Sequence, residues 1–207
     1  MKPSKSAMKR EKILAAAAKI FKLKGYAETT LSEIAAEADT LAGSLYYYFA
    51  SKDVIVEEVL NLGTGRVAEQ VMAEVRDLPA GTSRTDRLKA ALRLHVSLSM
   101  DRDDFTLAYW KIIDQVPAEV RERHAEMPRA YGRFFERLFR DAQEAGELRS
   151  DLDARIVTLL ILGGTLYALD WFQAEGRYSV GDLADMLLAM AFEGVNLPDS
   201  PRAPDRS

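Results

Sequence analysis

The side chains best suited to contacting a partner lie between residues 30 and 52. Three consecutive tyrosines, Tyr46 to Tyr48, follow a run of small residues, and Lys52 comes four positions later. Successive residues of a helix point about 100° apart, so at most two of the three tyrosine rings can be buried. A ring left exposed would be covered by a phosphate group or by a thymine methyl group. The chemistry predicted for this segment is binding to double-stranded DNA.

Residues that catalyse reactions or hold metal ions are sparse. The 207 residues include no cysteine, which excludes thiolate metal sites, disulfides and cysteine nucleophiles. The only histidines, His95 and His124, lack a second ligand at the spacing of a helical metal site, so both are expected to be solvated or partly buried. Asp101, Asp103 and Asp104 cluster at a helix junction and are interpreted as caps. No enzyme activity, cofactor or metal site is predicted.

Charge is unevenly distributed along the chain. The formal net charge is −4, yet residues 1–24 hold seven lysines and Arg10 against Glu11 alone, a net +7 that leaves −11 for the remainder. A basic segment on an acidic body is typical of a protein whose terminus meets a polyanion. A solvated basic helix explains the same composition, so charge alone leaves both interpretations open.

The pattern of apolar residues predicts an all-α fold. Sustained strand-like alternation is absent, and apolar residues recur at three- and four-residue intervals. In the first helix Ile13, Ala17 and Phe21 share one face, and the helix is predicted to stop at Gly25. Later helices are expected over residues 84–101, 104–115, 117–145 (with a break at Pro128), 153–173 and 179–194.

Two short helices follow the first one. Thr30 and Glu33 form a capping box that opens a helix over residues 31–38, and a second short helix spans about 43–49. Such a pair, braced by a preceding helix, is the arrangement of a helix-turn-helix, whose second helix enters the major groove. A generic pair of packed helices is the alternative, but the tyrosines favour a DNA reader. The residues predicted to contact DNA are Thr30, Leu41, Ala42, Gly43, Ser44, Tyr46, Tyr47 and Lys52.

These elements divide the chain into three parts. Residues 1–50 are predicted to form a DNA-binding domain, with the helix-turn-helix at about 30–49. Residues 51–197 are predicted to form a helical effector-binding and dimerisation bundle. The tail, 198–207, contains three prolines and is expected to be disordered.

Nothing in the sequence predicts a membrane or secreted protein. The longest apolar stretch, Ile156–Leu162, is shorter than the ~20 residues of a bilayer span. The basic N-terminal segment has no uninterrupted apolar run behind it, as a secretory signal would have. A cytoplasmic location without membrane partners is therefore expected.

A long ordered motif runs from Lys9 to Leu60. Its characteristic residues are Ile13, Ala16, Ala17, Phe21, Gly25, Tyr26, Thr29, Thr30, Ile34, Ala35, Ala38, Gly43 to Phe49 and Ser51 to Asp53. This stretch resembles the DNA-binding domain of the TetR family of bacterial transcriptional regulators. It departs from the family's pattern where Asp39 replaces the usual glycine and Ala42 replaces a frequent lysine or arginine. Leu41 followed by Ala42, Gly43 and Ser44 resembles the subgroup that answers to acyl-CoA or fatty-acid-like effectors.

The resemblance implies a homodimeric repressor that binds a palindromic operator. A small effector in the second domain would shift the helix at 51–76. The shift would change the separation of the two DNA-binding domains of the dimer and weaken operator binding. We expect the dimer contact along the last two helices, at Gly163, Gly164, Leu183, Leu187 and Met190. The acidic body and the uncharged Ala42 support an alternative, a helical small-molecule-binding or scaffold protein without DNA binding.

Aromatic residues in the second half are candidates for the effector site. Core packing is the alternative for each of them. Because the face that carries Tyr167 and Trp171 holds no arginine, a largely apolar or aromatic effector is predicted. A long acyl-CoA fits only with its head group at the mouth of the pocket, near the arginines of residues 129–140. The predicted effector residues are Tyr109, Trp110, Tyr131, Phe135, Tyr167 and Trp171.

Overall fold

The computed structural model describes residues 4–174 and 176–195, and in these ranges every regular element is an α-helix. The predicted all-α fold is confirmed. The ten helices of the described residues are α1 (Lys5–Glu28), α2 (Leu31–Glu37), α3 (Ala42–Tyr48), α4 (Lys52–Asp77), α5 (Arg84–Ser99), α6 (Asp104–Ile112), α7 (Ala118–His124), α8 (Glu126–Glu144), α9 (Ala154–Trp171) and α10 (Val180–Val195). The predicted disordered tail, 198–207, lies outside the described residues.

The helices form two compact units. Among the described residues, the first unit comprises 4–70 and 101–130, and the second comprises 71–100, 131–174 and 176–195. Helices α4 and α8 each begin in the first unit and end in the second. The predicted DNA-binding helices α1 to α3 all belong to the first unit. The functional boundary at residue 50 stays a prediction.

One face of α1 lies at the centre of the first unit. Ile13, Ala17 and Phe21 are fully buried, as their spacing predicts. They belong to a core cluster with residues of α2, α3, α4 and α6. Burying a side chain the size of phenylalanine contributes roughly 1.5–3 kcal/mol. This core holds α2 and α3, which at seven residues each are too short to be stable alone.

Side-chain caps set the starts of α2 and α4. The predicted capping box is confirmed: Thr30 Oγ1 accepts a hydrogen bond from the Glu33 N–H, and the Glu33 carboxylate accepts one from the Thr30 N–H. Ser51 Oγ accepts from the Val54 N–H at the start of α4. Each such cap contributes about 1 kcal/mol to helix stability.

Gly25 puts a kink near the end of α1. Its φ of +82° and ψ of 178° lie outside the helical region, in a conformation that favours glycine. The chain then continues for one more turn to Glu28, so the predicted stop at Gly25 is a kink. After it, the Tyr26 N–H donates to the side-chain oxygen of Gln115 at 2.9 Å. A Cβ at Gly25 would lie 2.5 Å from that same oxygen.

The second unit has its own apolar core. One cluster of buried residues in this unit consists of Val96, Met100, Ala168, Leu169, Phe172 and Ala184. Two polar contacts fix the helix ends around it. The Glu147 carboxylate accepts from the backbone N–H of Thr85 at 2.7 Å, in the first turn of α5. The guanidinium of Arg87 donates to the Val75 carbonyl near the end of α4.

The predicted break at Pro128 is wrong. Helix α7 ends at His124 and α8 begins at Glu126, so the break lies three residues earlier. Pro128 stands in the first turn of α8, where a missing N–H has no helical partner to lose. The true break, at Ala125, contains neither glycine nor proline, and the sequence therefore gives no breaker signal there.

Helix α9 is unusually apolar for its exposure. Its 18 residues have a mean hydropathy of 1.3, and 28% of them are buried. By length and composition alone it is long enough to cross a membrane. The run Ile156–Leu162 alone is too short to span a bilayer, but the predicted helix over 153–173 stays apolar on average despite Thr158 and two glycines. A helix covered by another protein surface has the same composition.

We expect Gly25→Ala to lower the free energy of unfolding by about 1–3 kcal/mol, because its backbone conformation is one that L side chains rarely adopt. Urea denaturation measures the change. Gly132→Ala is the matched control: a Cβ there meets no atom within 4 Å, and alanine within α8 raises stability by up to about 1 kcal/mol. Wild-type stability of Gly25→Ala would contradict the kink.

Candidate nucleic-acid interface and effector site

The turn between α2 and α3 is built around Asp39. Its φ of +50° places it in the left-handed region, which aspartate tolerates better than most residues. Lys9 Nζ donates to the Asp39 carbonyl at 3.1 Å, and Lys12 Nζ lies 3.5 Å from its carboxylate. Two lysines of α1 therefore support the turn at the position where the related motif has glycine.

Helix α3, here called the reading helix, is anchored on one side and exposed on the other. Leu45 and Phe49 are buried in the core of the first unit. Tyr46 and Tyr47 are 62% and 81% exposed, while Tyr48 is partly buried against the core. The expectation that at most two of the three tyrosines are buried is confirmed. The rings of Tyr46 and Tyr47, with their hydroxyl groups, therefore face away from the first unit.

The N-terminal end of the reading helix is open. Leu41, its N-cap residue, is exposed and makes no side-chain cap. A Cβ at Gly43 would meet no atom within 4 Å. Ala42 is partly buried against the core, and Ser44 is partly exposed. Small residues at this end allow a close approach to base edges.

Thr30 and Lys52, the other predicted DNA contacts, already have partners within the chain. Thr30 is exposed, with its hydroxyl engaged in the capping box. Lys52 Nζ donates to the Tyr26 carbonyl and lies 4.1 Å from the centroid of the Tyr26 ring. Burial lowers the pKa of Lys52. The Tyr26 hydroxyl in turn donates to Asp53 at 2.6 Å, so Lys52 belongs to a small network at the start of α4.

Many cations of the basic N-terminal segment are paired with carboxylates. The partners come from α2, α4 and α6, between 9 and 82 residues away in sequence. The pairs are Arg10–Glu58, Lys19–Glu37, Lys22–Asp104 and Lys24–Glu33. All are partly exposed and so contribute little to stability. They do reduce the local positive charge that the composition of residues 1–24 suggests.

The six predicted effector residues form three pairs in the chain. The pairs are Tyr109 with Trp110, Tyr131 with Phe135, and Tyr167 with Trp171. The first pair lies in the first unit, with ring centroids 4.7 Å apart. The second pair lies in the second unit, with centroids 5.1 Å apart. The third pair is exposed on α9 and lines no internal site of the single chain.

A buried histidine accompanies the second pair. His95, on α5, has Nδ1 3.1 Å from the Tyr131 hydroxyl and its ring centroid 5.7 Å from that of Phe135. Burial lowers the pKa of His95 to about 4, so the ring is neutral at pH 7. His124 is buried as well, with Nδ1 2.8 Å from Asn61 Oδ1. The expectation that both histidines are solvated or partly buried is wrong. The helical spacing of His95 with apolar residues of α5 indicates its burial.

The predicted dimer residues differ in exposure. Gly163 and Gly164 are exposed, with no atom within 4 Å of an added Cβ, and Met190 is 75% exposed. Leu183 and Leu187 are instead partly buried against the core of the second unit. Helix α9 has an exposed apolar surface, here called the α9 face. It consists of Ile156, Leu159, Leu160, Gly163, Gly164, Tyr167 and Trp171.

A cleft of about 340 Å³ lies between α1, α4 and α6 in the first unit. Its lining includes Arg10, Leu14, Asn61 and Arg66. The Arg66 guanidinium lies 4.5 Å from the centroid of the Phe105 ring, which also lines the cleft. None of the six predicted effector residues lies in this cleft, so it is a separate feature of the first unit.

Two family models match the chain. Residues 13–59 match a model described as "Bacterial regulatory proteins, tetR family". Residues 81–195 match one described as "Tetracyclin repressor-like, C-terminal domain". The first match covers the reading helix, and the second covers most of the second unit.

Characterised proteins and solved structures are similar over most of the chain. The transcriptional repressor KstR2 of Mycolicibacterium smegmatis is 27% identical over 199 residues, 93% of each protein. The fatty acid metabolism regulator protein of Bacillus subtilis is 21% identical over 89% of this chain and 94% of its own length. The crystal structure of AibR in complex with isovaleryl coenzyme A and operator DNA gives a TM-score of 0.76 at 25% identity. It covers 88% of this chain and 97% of that one.

We expect Tyr47→Ala to lose affinity for specific DNA by about 1–3 kcal/mol while binding random DNA almost normally, because a base-edge contact carries sequence information. Lys52→Ala should weaken binding to both DNAs alike, since its charge and its support of α4 are independent of sequence. Fluorescence anisotropy with labelled duplexes measures both effects.

Tyr178→Ala is the matched control for the loss of an exposed tyrosine. Its ring is exposed in the second unit, away from the reading helix in sequence. This variant should bind both DNAs as the wild type does. Equal losses on specific and random DNA for Tyr47→Ala would rule out a base-reading role for Tyr47.

Proposed function

Because this chain belongs to the TetR family of bacterial regulatory proteins, we propose that it is a ligand-responsive transcriptional repressor. It binds a palindromic operator as a homodimer and leaves it when a small, largely apolar effector binds. The observation that carries this proposal is the reading helix, anchored by Leu45 and Phe49 while Tyr46 and Tyr47 face outward. That exposed surface suits a major groove about 12 Å wide.

The proposed DNA contacts divide into base readers and backbone contacts. Tyr46 and Tyr47 reach base edges and thymine methyl groups, and the open end at Gly43 lets the helix come close. Thr30 and Lys52 lie at the starts of α2 and α4, where they position the reading helix against phosphates. Since many α1 cations are already paired, few counterions are released and the salt dependence of binding is shallow.

A palindromic operator needs two reading helices, which the homodimer supplies. The α9 face supports a dimer through α9 and α10, because an apolar strip of this kind on one chain marks an interaction surface. Gly163 and Gly164 allow two helices to approach closely at its middle. Met190 extends the proposed contact onto α10, while Leu183 and Leu187 support it from the core.

Helix α4 is the proposed link between effector and DNA. It begins at Lys52, four positions after the last residue of the reading helix, and continues into the second unit. Within the first unit, Ile55 and Val59 of α4 are buried in the same core cluster as Leu45 and Phe49, which anchor the reading helix. A shift of α4 caused by the effector would therefore move the reading helix with it. A coupling of this kind changes affinity by roughly 5–150-fold.

The proposed effector is largely apolar, as in an acyl-CoA, a fatty acid or an aromatic compound. Tyr131 and Phe135 offer aromatic surface inside the second unit, where their rings contact each other, His95 and Phe134. Arg137 and Arg140 are exposed on the part of α8 that belongs to the second unit, where a charged head group would remain in water. The ligand in the AibR structure, isovaleryl coenzyme A, likewise combines an apolar acyl group with a charged head group.

The family consists of transcriptional regulators rather than enzymes. We accordingly assign this chain no catalytic residues, cofactor or metal, and place it with its operator in the cytoplasm. The functional division that follows has operator binding in residues 1–50 and effector binding and dimerisation in residues 51–197.

One observation favours a second candidate, a small-molecule-binding or scaffold protein that does not bind DNA. The ion pairs of Arg10, Lys19, Lys22 and Lys24 weaken the attraction between α1 and a phosphate backbone. Under this alternative, the exposed tyrosines of the reading helix would serve a protein contact instead.

Binding to the DNA upstream of the chain's own gene separates the two candidates. We expect saturable binding with two chains per palindrome and a preference over random DNA at about 50 mM salt. Dodecanoyl-CoA should weaken the complex by roughly 5–150-fold. Absence of any preference over random DNA would favour the scaffold alternative. A specific complex whose affinity for the DNA is unchanged by dodecanoyl-CoA, dodecanoate and benzoate would show that the effector class is wrong.

We expect Leu160→Arg to yield a monomer that has lost at least about tenfold in operator affinity, because the dimer would bury an unpaired charge. Leu160 is 70% exposed in the single chain, so the folded monomer should keep its stability. Leu23→Arg is the matched control, since Leu23 on α1 is 64% exposed and lies outside the proposed contact. Sedimentation of both variants at micromolar concentration measures the outcome. A dimeric Leu160→Arg would contradict the proposed contact.

A further inference from the structure

His95 holds a buried polar atom that has no partner in the described part of the chain. The side chain is buried on α5, and its Nδ1 lies 3.1 Å from the Tyr131 hydroxyl and 3.5 Å from Ser99 Oγ. Its other ring nitrogen, Nε2, is buried without a hydrogen-bond partner. Buried polar atoms in folded proteins are nearly always paired, so an unpaired one indicates a missing partner.

The surroundings of His95 are aromatic. Its ring contacts Tyr131 and Phe135, with ring centroids 5.7 Å away in each case. Phe134 stacks on Tyr131, with the two ring planes only 4° apart. The imidazole therefore places its unpaired Nε2 within a largely aromatic cluster of the second unit. This combination is typical of a site that binds an apolar ligand and orients it by a single hydrogen bond.

The hydrogen-bond pattern gives Nε2 the role of a donor. Burial raises the pKa of the Tyr131 hydroxyl, which therefore keeps its proton. When that hydroxyl donates to Nδ1, the neutral imidazole carries its hydrogen on Nε2. Burial also lowers the pKa of His95 to about 4, which disfavours the cation. The site thus presents a neutral N–H to whatever occupies it.

A neutral donor among aromatic rings selects one class of acceptor. A carbonyl oxygen accepts the hydrogen bond without bringing charge into the apolar cluster. An ionised carboxylate would need a cation, and the neutral imidazole does not supply one. Esters, thioesters and ketones therefore fit this site better than free acids.

We propose that His95 Nε2 donates a hydrogen bond to a carbonyl oxygen of the effector, and so selects a thioester, ester or ketone over a free acid. The inference rests on the proposed function, because it assigns the polar group of the effector site in the second unit. Tyr131 acts as the positioning residue that holds the imidazole in the donor tautomer.

A pair of coenzyme A derivatives tests the proposal. Dodecanoyl-CoA carries the thioester carbonyl, and S-dodecyl-CoA has a methylene group in its place. Calorimetry on the full chain, below the micelle concentration of either compound, compares their affinities. Wild type should bind the thioester about tenfold more tightly, a ratio that equals 1.4 kcal/mol. His95→Phe should bind both equally, and His95→Gln, which keeps an N–H donor, should retain part of the preference.

His124→Phe is the matched control, because its Nε2 is likewise buried without a partner but lies in the first unit. It should keep the preference for the thioester. Equal wild-type affinities overturn the proposal even if a variant fails to fold. A preference that survives in a folded His95→Phe, or that vanishes in His124→Phe, overturns it as well.

The failure of this inference is distinguishable from the failure of the proposed function. Operator release by both compounds without a carbonyl preference overturns the inference alone. A carbonyl preference without operator release overturns the proposed function alone and supports the role of His95. Absence of binding by both compounds overturns the inference, and the proposed function is then overturned only if dodecanoate and benzoate also fail to release the operator.

Discussion

A helix of seven residues is not stable by itself in water, so the position of the reading helix depends on what its buried side touches. Leu45 and Phe49 supply that side, and they pack in the same core as Ile13 and Phe21 of α1. The same core contains apolar residues of α6, so the reading helix is fixed by a unit much larger than the helix-turn-helix. The outer surface of α3 is therefore free to carry residues chosen for a partner rather than for stability.

Three features of the described residues point to three different partners. The exposed rings of Tyr46 and Tyr47 suit the edges and methyl groups of bases. The α9 face suits a second copy of the chain, since an apolar strip of this kind is costly to leave in water. The unpaired Nε2 of His95 suits a small ligand in the second unit. A ligand-responsive dimeric repressor needs all three partners.

The elements that sequence predicts well are those set by neighbours along the chain. The capping box of Thr30 and Glu33 and the buried face of α1 follow from spacing alone. The start of α8 does not follow from spacing, because a proline in the first turn of a helix and a proline that breaks a helix look alike in sequence. Spacing placed Tyr167 and Trp171 on one helix face, but it cannot tell whether that face meets the same chain or another one.

What the sequence could not predict depends on distant pairs. The carboxylates that pair with Lys22 and Arg10 come from α6 and α4, so the basic composition of residues 1–24 overstated the available charge. Lys52 is similar, because its contact with the Tyr26 carbonyl appears only once α1 and α4 are packed. The unpaired nitrogen of His95 likewise requires the positions of Tyr131 and Ser99.

In the proposed complex, two copies of the reading helix occupy major grooves on one side of an operator. Protection of guanine N7 from methylation tests this arrangement most directly, because that atom lies in the major groove. A homodimer bound in this way should protect two segments on the same face of the DNA, centred about 10 base pairs or a multiple of that apart. A bound protein that leaves every N7 reactive, or that protects only one segment, would contradict it.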